Sequence, residues 1–508
     1  MSMVTGADPQ QPVAGVGTKR RGLVERYVDS IAGRVGAGSG LHKALRKVFP
    51  HHFSFLWGEI ALYCFVVLLI TGTYLTFFFE GTQQTVVYDG SYGPLRGVEV
   101  SGAYESVLRI SFDVKGGLLI RQMHHWAALV FVGAIALHMA RVFFTGAFRR
   151  PREINWVVGV LLLLLALAAG FTGYSLPDDL LSGTGLRITQ AIILALPLIG
   201  ERATYLIFGG EWPGTDIIGR LYPVHILLIP AAIVALLAVH LALVWRQKHT
   251  QFRSREATEH NVIGERIWPT FAMKSIGLLF LVAGVITAMG ALFEVNAVWL
   301  YGPYDVGAAT SYSQPDWYIG FLEGSLRLFP PWETRAFGYM INNLMYSGVL
   351  IPGVVFTGLL LVPWIERRLT KDKREVDREH HLLDRPRDAP HRTAAGAAAI
   401  TFVAVLFLGG SQDVIAGTLS ISIGNVTTFL QIALLVGPPV AYWAAYQLCA
   451  ALRRREGPER TERAGVVVRD SGGGYRGMGE APENTDGERT DDASDALDER
   501  LTAGPVGE

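Results

Sequence analysis

The chain has 508 residues, of which 50% are hydrophobic and 18% are charged, and its formal net charge is zero. Soluble proteins carry about 25% charged residues, whereas the apolar residues here fall into blocks of roughly 20, the length with which a helix crosses a bilayer. This composition excludes a soluble globular enzyme and an intrinsically disordered chain. A β-barrel is disfavoured because its strands would be short and alternating, and the neutral net charge gives no support for nucleic-acid binding.

The cysteine content excludes several further kinds of site. Cys64 and Cys449 both lie in apolar blocks, and the sequence has no other cysteine. Two such residues are too few for a disulfide framework, a zinc site or an iron–sulfur site, and the absence of a CxxCH motif excludes a covalently attached c-type haem. Because the first 50 residues lack an apolar core, we predict no cleavable signal peptide.

Eight apolar spans, which we label A to H, predict an all-α integral membrane protein with eight transmembrane helices. Each connecting segment is named by the two spans that it joins, so that the C–D segment lies between spans C and D. The predicted spans are A at 54–79, B at 122–145, C at 155–175, D at 221–245, E at 271–293, F at 338–362, G at 394–410 and H at 424–451.

Lysine and arginine positions predict the orientation of the spans. Eighteen of these residues lie in or beside the B–C, D–E and F–G segments, and the segments on the opposite side carry no more than about half as many. Basic residues also precede span A, at 19–21, and end span H, at 453–455. Because positively charged loops stay in the cytoplasm, we expect a multi-pass protein of the cell membrane with both termini cytoplasmic.

Histidines inside two spans indicate a cofactor. His124 and His138 in span B are 14 residues apart and lie about 40° apart around a helix, while His125 lies about 140° from His138. His225 and His240 in span D are 15 residues apart, about 60°. Because spans B and D run in the same direction, His124 can face His225 near the outer surface, and His138 can face His240 near the inner one. Two pairs of neutral imidazoles predict two bis-histidine haems.

A structural role or a transition-metal pathway accounts less well for these histidines. Each histidine alone could be a hydrogen-bonded residue inside a helix bundle, but four at matched depths on two parallel spans are harder to account for in that way. Histidines of a transition-metal pathway would have carboxylates beside them, and the sequence shows none there.

Glycines on two other spans repeat the same separation. Gly58 and Gly72 in span A are 14 residues apart, and so are Gly159 and Gly173 in span C. A flat macrocycle wedged between helices needs positions without side chains, so these glycines are candidates to border the haems. The alternative is ordinary helix packing through small residues, which is common in membranes.

Two arginines lie close to the histidines of span B. Arg121 is one turn before His124, and Arg141 is three residues after His138. Either could pair with haem propionates. For Arg141 the simpler alternative is that it only contributes to the positive charge of the cytoplasmic side.

Longer motifs carry a resemblance to a known family. RQMHHW…HMARVFF at 121–144 and YPVHILLIP…VHLALVW at 222–245 resemble the second and fourth helices of the cytochrome b subunit of the cytochrome bc complex family. PDWY at 315–318 is similar to the PEWY motif of its quinol-oxidising site, and GFTGYSLPDDLLSGTGL at 170–186 to a segment that covers this site. The resemblance spans roughly 50–365. The histidine spacing in span D, PDWY and RRPRE in the B–C segment resemble most the actinobacterial type, the cytochrome bcc menaquinol:cytochrome c reductase.

The resemblance implies a respiratory enzyme, a quinol–cytochrome c reductase of which this chain is one subunit. Menaquinol would be oxidised on the outer side, between the C–D segment and the E–F segment. One electron would pass to a Rieske iron–sulfur subunit, and the other through a low-potential haem b at His124 and His225 and a high-potential haem b at His138 and His240. A quinone on the cytoplasmic side would receive it, and the Q cycle would translocate protons.

Three residues of the E–F segment are candidates for the chemistry of quinol oxidation. Asp316 could accept a quinol proton, although an aspartate here could also cap a short loop helix. Tyr318 could hydrogen-bond a quinone oxygen or simply pack in an interface. Glu323 could replace Asp316 or relay its proton, unless it is a solvated loop charge.

The inner quinone site is predicted on fewer residues. Lys274 and Ser275 fall where many members of the family have Lys-Asp. Lys274 could neutralise or hydrogen-bond a reduced quinone, or it could be a lysine that extends to the membrane boundary. His249 is offset from the position where some relatives place a quinone-contacting histidine.

The resemblance also implies partners and an organisation of the chain. Expected partners are the Rieske subunit, a c-type cytochrome subunit, a cytochrome c oxidase in a supercomplex, a second copy of the complex in a homodimer and membrane lipid. The predicted regions are a cytoplasmic N-terminal segment at 1–50 with an interfacial helix at 36–50, a haem-binding four-helix cytochrome b N-terminal domain at 51–250, a C-terminal region with the PDWY loop at 251–365, two additional transmembrane helices at 366–455 and a disordered cytoplasmic tail at 456–508.

Three competing classes of membrane protein leave more of the sequence unexplained. A two-haem membrane anchor of a dehydrogenase would also carry histidines in its spans, but it would be shorter and would lack PDWY. A transporter would show internal repeats or broken helices, and the sequence shows no repeat beyond its general apolarity. A purely structural membrane protein leaves four intramembrane histidines unexplained.

Overall fold

The structure is a computed structural model that describes residues 30, 44–210, 214–308, 314–336, 338–455, 467–469 and 475–477. By internal contacts the chain divides into two units, Met1–Ala450 and Ala451–Glu508. The predicted disordered tail at 456–508 and the N-terminal segment before residue 44 fall largely outside the described residues. Within the tail, Val467–Arg469 and Tyr475–Gly477 pair as antiparallel strands.

The prediction of eight membrane-spanning helices is confirmed. Within the described residues, eight helices are long and apolar enough to cross a membrane. Seven of them begin within five residues of the predicted position, and span F is the exception. The spans are A at Phe53–Thr76, B at Gly117–Phe144, C at Glu153–Ser175, D at Ile217–Gln247, E at Ile267–Leu292, F at Met345–Leu369, G at Pro390–Gly410 and H at Ile423–Arg455.

Two predicted boundaries are wrong. Span F was predicted from 338, but Tyr339–Ile341 is a strand that pairs with Thr334–Ala336 across a turn at Gly338, whose φ is +81°. A short apolar run cannot be assigned to helix or strand from periodicity alone. The end of the predicted interfacial helix at 36–50 is also not helical, because Val48–Phe49 pairs antiparallel with Glu265–Arg266.

The core of the membrane unit lies between spans A, B, C, D and E. Span A packs along span B, span D along span C, and span E against both A and B. Phe65 of span A stacks on Phe131 of span B with ring centroids 5.7 Å apart, and Val160, Ile233 and Ile286 complete the same buried cluster. This packing fixes the relative rotation of the spans that carry the histidines and glycines.

Span B begins after a tight turn that two glycines make possible. The helix Gly102–Phe112 precedes it. Gly116, the residue just before span B, has a φ of +74°, in the left-handed region that glycine tolerates. A Cβ on Gly117 would collide with the carbonyl oxygen of Ile110. The turn therefore sets where span B starts and how its histidines face.

The outer segments contain short elements that cover the ends of the spans. The A–B segment has an antiparallel pair, Thr85–Val87 with Glu99–Ser101, and the 3₁₀ turn Gly93–Leu95. The C–D segment has the helices Leu180–Leu194 and Gly200–Phe208. Asp179 and Ser182 form a reciprocal capping box at the start of the first of these helices.

The E–F segment carries PDWY and packs against span G. It comprises the helix Val298–Tyr301, the 3₁₀ turn Trp317–Ile319 and the helix Gly320–Leu328. At Gly324 this last helix approaches span G so closely that a Cβ would collide with the carbonyl oxygen of Leu406. Span G therefore supports the segment that holds the candidate quinol-site residues.

The remaining short elements lie in the D–E, F–G and G–H segments. Gln251–Phe252 pairs in parallel with Leu382–Leu383, which ties the D–E segment to the F–G segment. The other elements of these segments are the helix Lys373–Asp377, the 3₁₀ turn Pro386–Asp388 and the helix Gln412–Leu419.

Candidate functional site

The structure brings the four histidines together as two facing pairs. The ring centroids of His124 and His225 are 6.2 Å apart with an interplanar angle of 78°. Those of His138 and His240 are 6.4 Å apart with an angle of 73°. Two metal–imidazole bonds of about 2.0–2.1 Å each, together with the size of the two rings, account for a separation of this size. Each pair therefore leaves room for one metal ion between its rings.

His225 lies in an irregular part of span D. Residues Val224–Leu228 form a π-helical turn directly after Pro223, which has no N–H to donate to the helix ladder. Single π turns inside α-helices occur often at functional sites. This turn changes the rotation of His225 relative to His240, so the ideal-helix angle of about 60° between them is only approximate.

The outer histidine pair is oriented by hydrogen bonds at Nδ1. The hydroxyl of Thr71 donates to the carbonyl oxygen of Val67 at 2.7 Å, so it accepts from His124 Nδ1 at 2.9 Å. His225 Nδ1 donates to the carbonyl oxygen of Ala169 at 3.0 Å. A proton on Nδ1 leaves the lone pair of Nε2 free, which is the arrangement that a metal-ligating histidine needs.

Each of the four predicted glycines faces one of the four histidines. A Cβ placed on Gly72 would lie 3.1 Å from His124, on Gly58 3.1 Å from His138, on Gly173 2.5 Å from His225 and on Gly159 3.9 Å from His240. The nearest atoms belong to the imidazoles and not to the backbone of a neighbouring helix. This arrangement favours a cradle for a flat group at the histidines over simple helix–helix packing.

Both predicted arginines have buried nitrogens without a protein partner. Arg121 donates from one Nη to the carbonyl oxygen of Asn296 at 3.1 Å, but its Nε and other Nη have no hydrogen bond among the described residues. Nε and one Nη of Arg141 are also buried without a hydrogen bond among the described residues, and its guanidinium lies 4.3 Å from the centre of the Phe55 ring. Buried cationic donors are normally paired, so both arginines are suited to an anionic group such as a haem propionate.

These observations fit two haems better than a simple metal site. Among the described residues, no group of three or more histidine, cysteine, aspartate or glutamate side chains could hold a metal ion. Two imidazoles, a glycine cradle and an unpaired arginine are instead what a haem would use at each depth.

One cavity connects the outer histidine pair with PDWY. Its volume is about 420 Å³, and its lining includes His124, His225, Arg121, Asp316 and Tyr318. Most of the lining is apolar, with a small number of polar groups converging on it, as is usual for the binding site of a small organic molecule. The cavity places the candidate proton acceptor beside the candidate outer haem site.

Asp316 is held by hydrogen bonds at both carboxylate oxygens. Its Oδ1 lies 2.7 Å from His125 Nε2, and its Oδ2 accepts from the hydroxyl of Tyr318 at 2.8 Å. Although Asp316 precedes the turn Trp317–Ile319, its side chain makes no capping hydrogen bond. Tyr318 is only 2% exposed, and burial raises the pKa of its hydroxyl well above the usual range, so it stays protonated as a donor.

The angles of the histidines around span B did not reveal the role of His125. They only showed that His125 does not share a face of the helix with His138. The available signal was the HH dipeptide itself, which puts a second imidazole about 100° around the helix from His124. The structure shows that this face of span B is directed at the E–F segment.

Glu323 lies outside the hydrogen-bonded group around Asp316. One of its oxygens pairs with Arg327, which also binds Asp413 at 2.8 Å. The other, Oε2, is buried without a hydrogen-bond partner among the described residues. Burial raises the pKa of this carboxyl to about 7. Glu323 is therefore not a solvated loop charge, but the structure does not bring it into contact with Asp316.

The predicted inner-site residues are not brought together in the same way. Lys274 is half exposed and pairs with Glu265 at 2.6 Å. The ring of His249 packs against that of Phe49, with centroids 4.0 Å apart and an interplanar angle of 50°, and its Nε2 is buried without a partner in the described chain. Ser275, next to Lys274, donates instead to Glu59 of span A at 2.6 Å.

Comparisons with known proteins identify the kind of fold. The family model described as Cytochrome b(N-terminal)/b6/petB matches residues 129–303. A solved structure described as Hyperthermophilic respiratory Complex III has the same fold, with a TM-score of 0.59 and 18% identity, over 83% of this chain and 100% of that chain. Fold and site together define a membrane-embedded cytochrome b.

Curated relatives specify the family further. Cytochrome bc1 complex cytochrome b subunits are 48% identical in Streptomyces coelicolor and 49% identical in Mycobacterium bovis. The first match covers 85% of this chain and 78% of the relative, and the second 89% and 82%. The cytochrome b subunit of Corynebacterium efficiens is 46% identical over 88% of this chain and 82% of the relative. The chain belongs to the cytochrome b subunits of the cytochrome bc1 complex, which are components of quinol–cytochrome c reductases.

Proposed function

We propose that the chain holds two b haems and oxidises menaquinol at the outer cavity, as part of a Q cycle. His124 and His225 would bind one haem, and His138 and His240 the other. When bound, the haems supply one-electron carriers between the two sides of the membrane. The observation that carries the proposal is the single cavity that contains both the outer histidine pair and Asp316.

The proton chemistry of the outer site follows from the contacts of Asp316. A quinol loses two protons as it loses two electrons, since otherwise charge would accumulate in a low-dielectric site. Asp316 is largely buried, with 10% of its side chain exposed, and borders the cavity, so its carboxylate can accept one of these protons as a general base. Tyr318 and His125 hold the carboxylate in one orientation. Glu323 remains the second candidate, by virtue of its raised pKa.

The fate of the two electrons rests on the family. One would leave to a Rieske iron–sulfur subunit and then to a c-type cytochrome subunit, and the other would travel inward to a quinone on the cytoplasmic side. The basic B–C, D–E and F–G segments support this orientation, with both termini in the cytoplasm. Protons would then be released outside and taken up inside.

The substrate and assembly are proposed from the kinds of organism in which the relatives occur. The three relatives named above are actinobacterial, and we infer menaquinol as the quinol, a homodimer of complexes and a supercomplex with a cytochrome c oxidase. We also retain the division into a haem-binding domain at 51–250, a PDWY region at 251–365 and two further helices at 366–455.

The test of the proposal is an optical and kinetic measurement on the purified complex. A dithionite-reduced minus oxidised spectrum should show b-type haem at two per chain. A menaquinol analogue should reduce this haem, and the complex should transfer the electrons to a c-type cytochrome. A chain that purifies folded but without haem contradicts the proposal. Faster turnover with a ubiquinol analogue than with a menaquinol analogue contradicts only the substrate.

A further inference from the structure

Spans A and E are joined by a polar contact in their cytoplasmic halves. Ser275 of span E donates from its hydroxyl to Glu59 Oε2 of span A at 2.6 Å. The hydroxyl of Tyr63, one turn further along span A, hydrogen-bonds Ser275 Oγ. Because the single hydroxyl proton of Ser275 is directed at Glu59, Tyr63 is the donor in the second contact. The three residues therefore form two consecutive hydrogen bonds, in which Tyr63 donates to Ser275 and Ser275 donates to Glu59.

The hydrogen-bonded group of Tyr63, Ser275 and Glu59 lies at the depth of the inner histidine pair. Glu59 is six residues from the start of span A, about 9 Å along a helix axis. It is adjacent to Gly58, whose added Cβ would lie 3.1 Å from His138. Lys274, beside Ser275, forms its ion pair with Glu265, so the nearby lysine charge is already matched by another carboxylate.

A carboxylate is a costly choice if this contact serves only to join two helices. Serine, threonine, asparagine and glutamine side chains join helices in membranes by neutral hydrogen bonds. Ionisable residues within spans are rare, and they mark ion pathways and proton relays. Glu59 therefore calls for a role in proton transfer, and the contact with Ser275 fixes the position of its carboxyl group.

We propose that Glu59 delivers protons to a quinone headgroup bound beside spans A and E at the inner side, with Ser275 and Tyr63 as its positioning residues. The proposal rests on the proposed function, because it names the proton donor of the inner quinone-reducing reaction. Reduction of a quinone to a quinol takes up two electrons and two protons, and under the proposed function the haem that His138 and His240 would hold supplies the electrons one at a time. The O–H bond of protonated Glu59 breaks as an O–H bond forms at a quinone oxygen, and water on the cytoplasmic side returns a proton to the carboxylate. A second cycle supplies the second proton.

The experiment uses the purified complex with its haems and compares three variants. Glu59→Gln retains an oxygen that accepts from Ser275 but cannot transfer a proton. Glu59→Asp retains the carboxyl group, and Ser275→Ala removes the helix contact while leaving the carboxyl group in place. Two rates are measured for each variant: reduction of the b haems by a menaquinol analogue, and reoxidation of the reduced b haems by a menaquinone analogue when the outer site is blocked.

We expect Glu59→Gln to keep two haems per chain and the wild-type rate of haem reduction, while reoxidation by quinone slows about 10²-fold, the scale for loss of a general acid. Glu59→Asp should recover part of this rate, and Ser275→Ala should lose less than Glu59→Gln. In the wild type, redox-induced infrared difference spectra should contain a carboxylic-acid band that Glu59→Gln removes.

The outcomes separate this proposal from the proposed function. Wild-type reoxidation in Glu59→Gln overturns the role of Glu59. A loss in Ser275→Ala as large as that in Glu59→Gln, without recovery in Glu59→Asp, shows a helix contact and also overturns it. If Glu59→Gln does not assemble, the carboxylic-acid band is followed in Glu59→Asp, where it should shift in frequency, and a band that is unchanged in Glu59→Asp overturns the role of Glu59. Failure of the wild-type haems to be reduced by quinol or reoxidised by quinone contradicts the proposed function itself.

Discussion

His125 Nε2 lies 2.7 Å from Asp316 Oδ1, although 191 residues separate the two in the chain. This contact joins span B, which carries the proposed outer haem ligand His124, to the E–F segment, which carries the proposed proton acceptor. Both side chains are largely buried, with 12% and 10% exposure. The imidazole and the hydroxyl of Tyr318 together occupy both oxygens of the carboxylate, so the direction in which Asp316 can accept a proton is set from two elements.

The first prediction concerns this contact. His125→Ala should retain both haems, because His125 is directed at Asp316 rather than at His225. Quinol oxidation should slow about 10- to 100-fold, since a hydrogen bond to a charged group contributes about 1.5–3 kcal/mol. His125→Gln can place an amide N–H near the position of Nε2 and should recover part of the rate. The measurement is haem content together with the turnover number for a menaquinol analogue.

A different result would assign His125 another role. Loss of a haem in His125→Ala would mean that the residue supports ligation. Wild-type turnover in His125→Ala would show that Tyr318 alone suffices to orient Asp316.

The second prediction concerns Asp316 itself. Asp316→Asn should slow quinol oxidation about 10²-fold or more, the usual scale for loss of a general base, while both haems remain bound. Asp316→Glu should retain much of the rate, because members of the family use glutamate at this position. Stopped-flow reduction of the b haems by a menaquinol analogue measures the step directly. If Asp316→Asn reacts at the wild-type rate, the proton leaves by another route and Glu323 becomes the first candidate.

Helix periodicity made the histidine pairs and the facing glycines predictable from the sequence. A separation of 14 residues places two side chains on nearly the same face of a helix, whatever surrounds the helix. The same rule therefore applied to His124 and His138 in span B and to Gly58 and Gly72 in span A. The eight spans were predictable for a similar reason, because each is a local run of apolar residues.

Contacts between distant segments were not predictable in this way. His125 meets Asp316, and Glu59 meets Ser275, only after five spans have packed together. Lys274 was a candidate for quinone binding, but the sequence could not show that Glu265 of a short strand would pair with it. The start of span F was misplaced because the short apolar run Tyr339–Ile341 is compatible with both a helix and a strand. Only its pairing with Thr334–Ala336 shows that it is a strand.

The third prediction concerns haem ligation. His124→Ala should lose the outer haem or prevent assembly, since one of the two imidazoles at 6.2 Å centroid separation is removed. His125→Ala, the adjacent substitution in the same span, is the matched control and should keep two haems per chain. Pyridine haemochrome analysis against protein concentration gives the ratio. Equal haem content in His124→Ala and the wild type would remove His124 from the proposed ligands.

The fourth prediction concerns orientation. The basic B–C segment, which includes Arg149, Arg150 and Arg152, should lie in the cytoplasm. A reporter that is active only in the cytoplasm should work when fused after Arg152, and one that is active only outside should not. Fusions within the C–D segment provide the control and should behave in the opposite way. Activity of the external reporter after Arg152 would invert the proposed topology.

The fifth prediction concerns pH and Glu323. Burial raises the pKa of Glu323 to about 7, whereas a glutamate in an unfolded chain has a pKa of about 4.3. Between these values the folded state binds more protons at this position than the unfolded state does. The stability that this protonation contributes is fully present below the unfolded pKa and is lost as the pH rises through 7.

The thermal unfolding temperature of the wild-type complex should therefore fall between about pH 6 and about pH 8, and this dependence should be weaker in Glu323→Gln. The glutamine keeps a carbonyl oxygen for Arg327 but does not ionise. If Asp316 is the proton acceptor, Glu323→Gln should also oxidise quinol within about twofold of the wild-type rate near pH 7, far from the effect of losing a general base. A large loss of turnover in Glu323→Gln, combined with wild-type turnover in Asp316→Asn, would transfer the role of proton acceptor from Asp316 to Glu323.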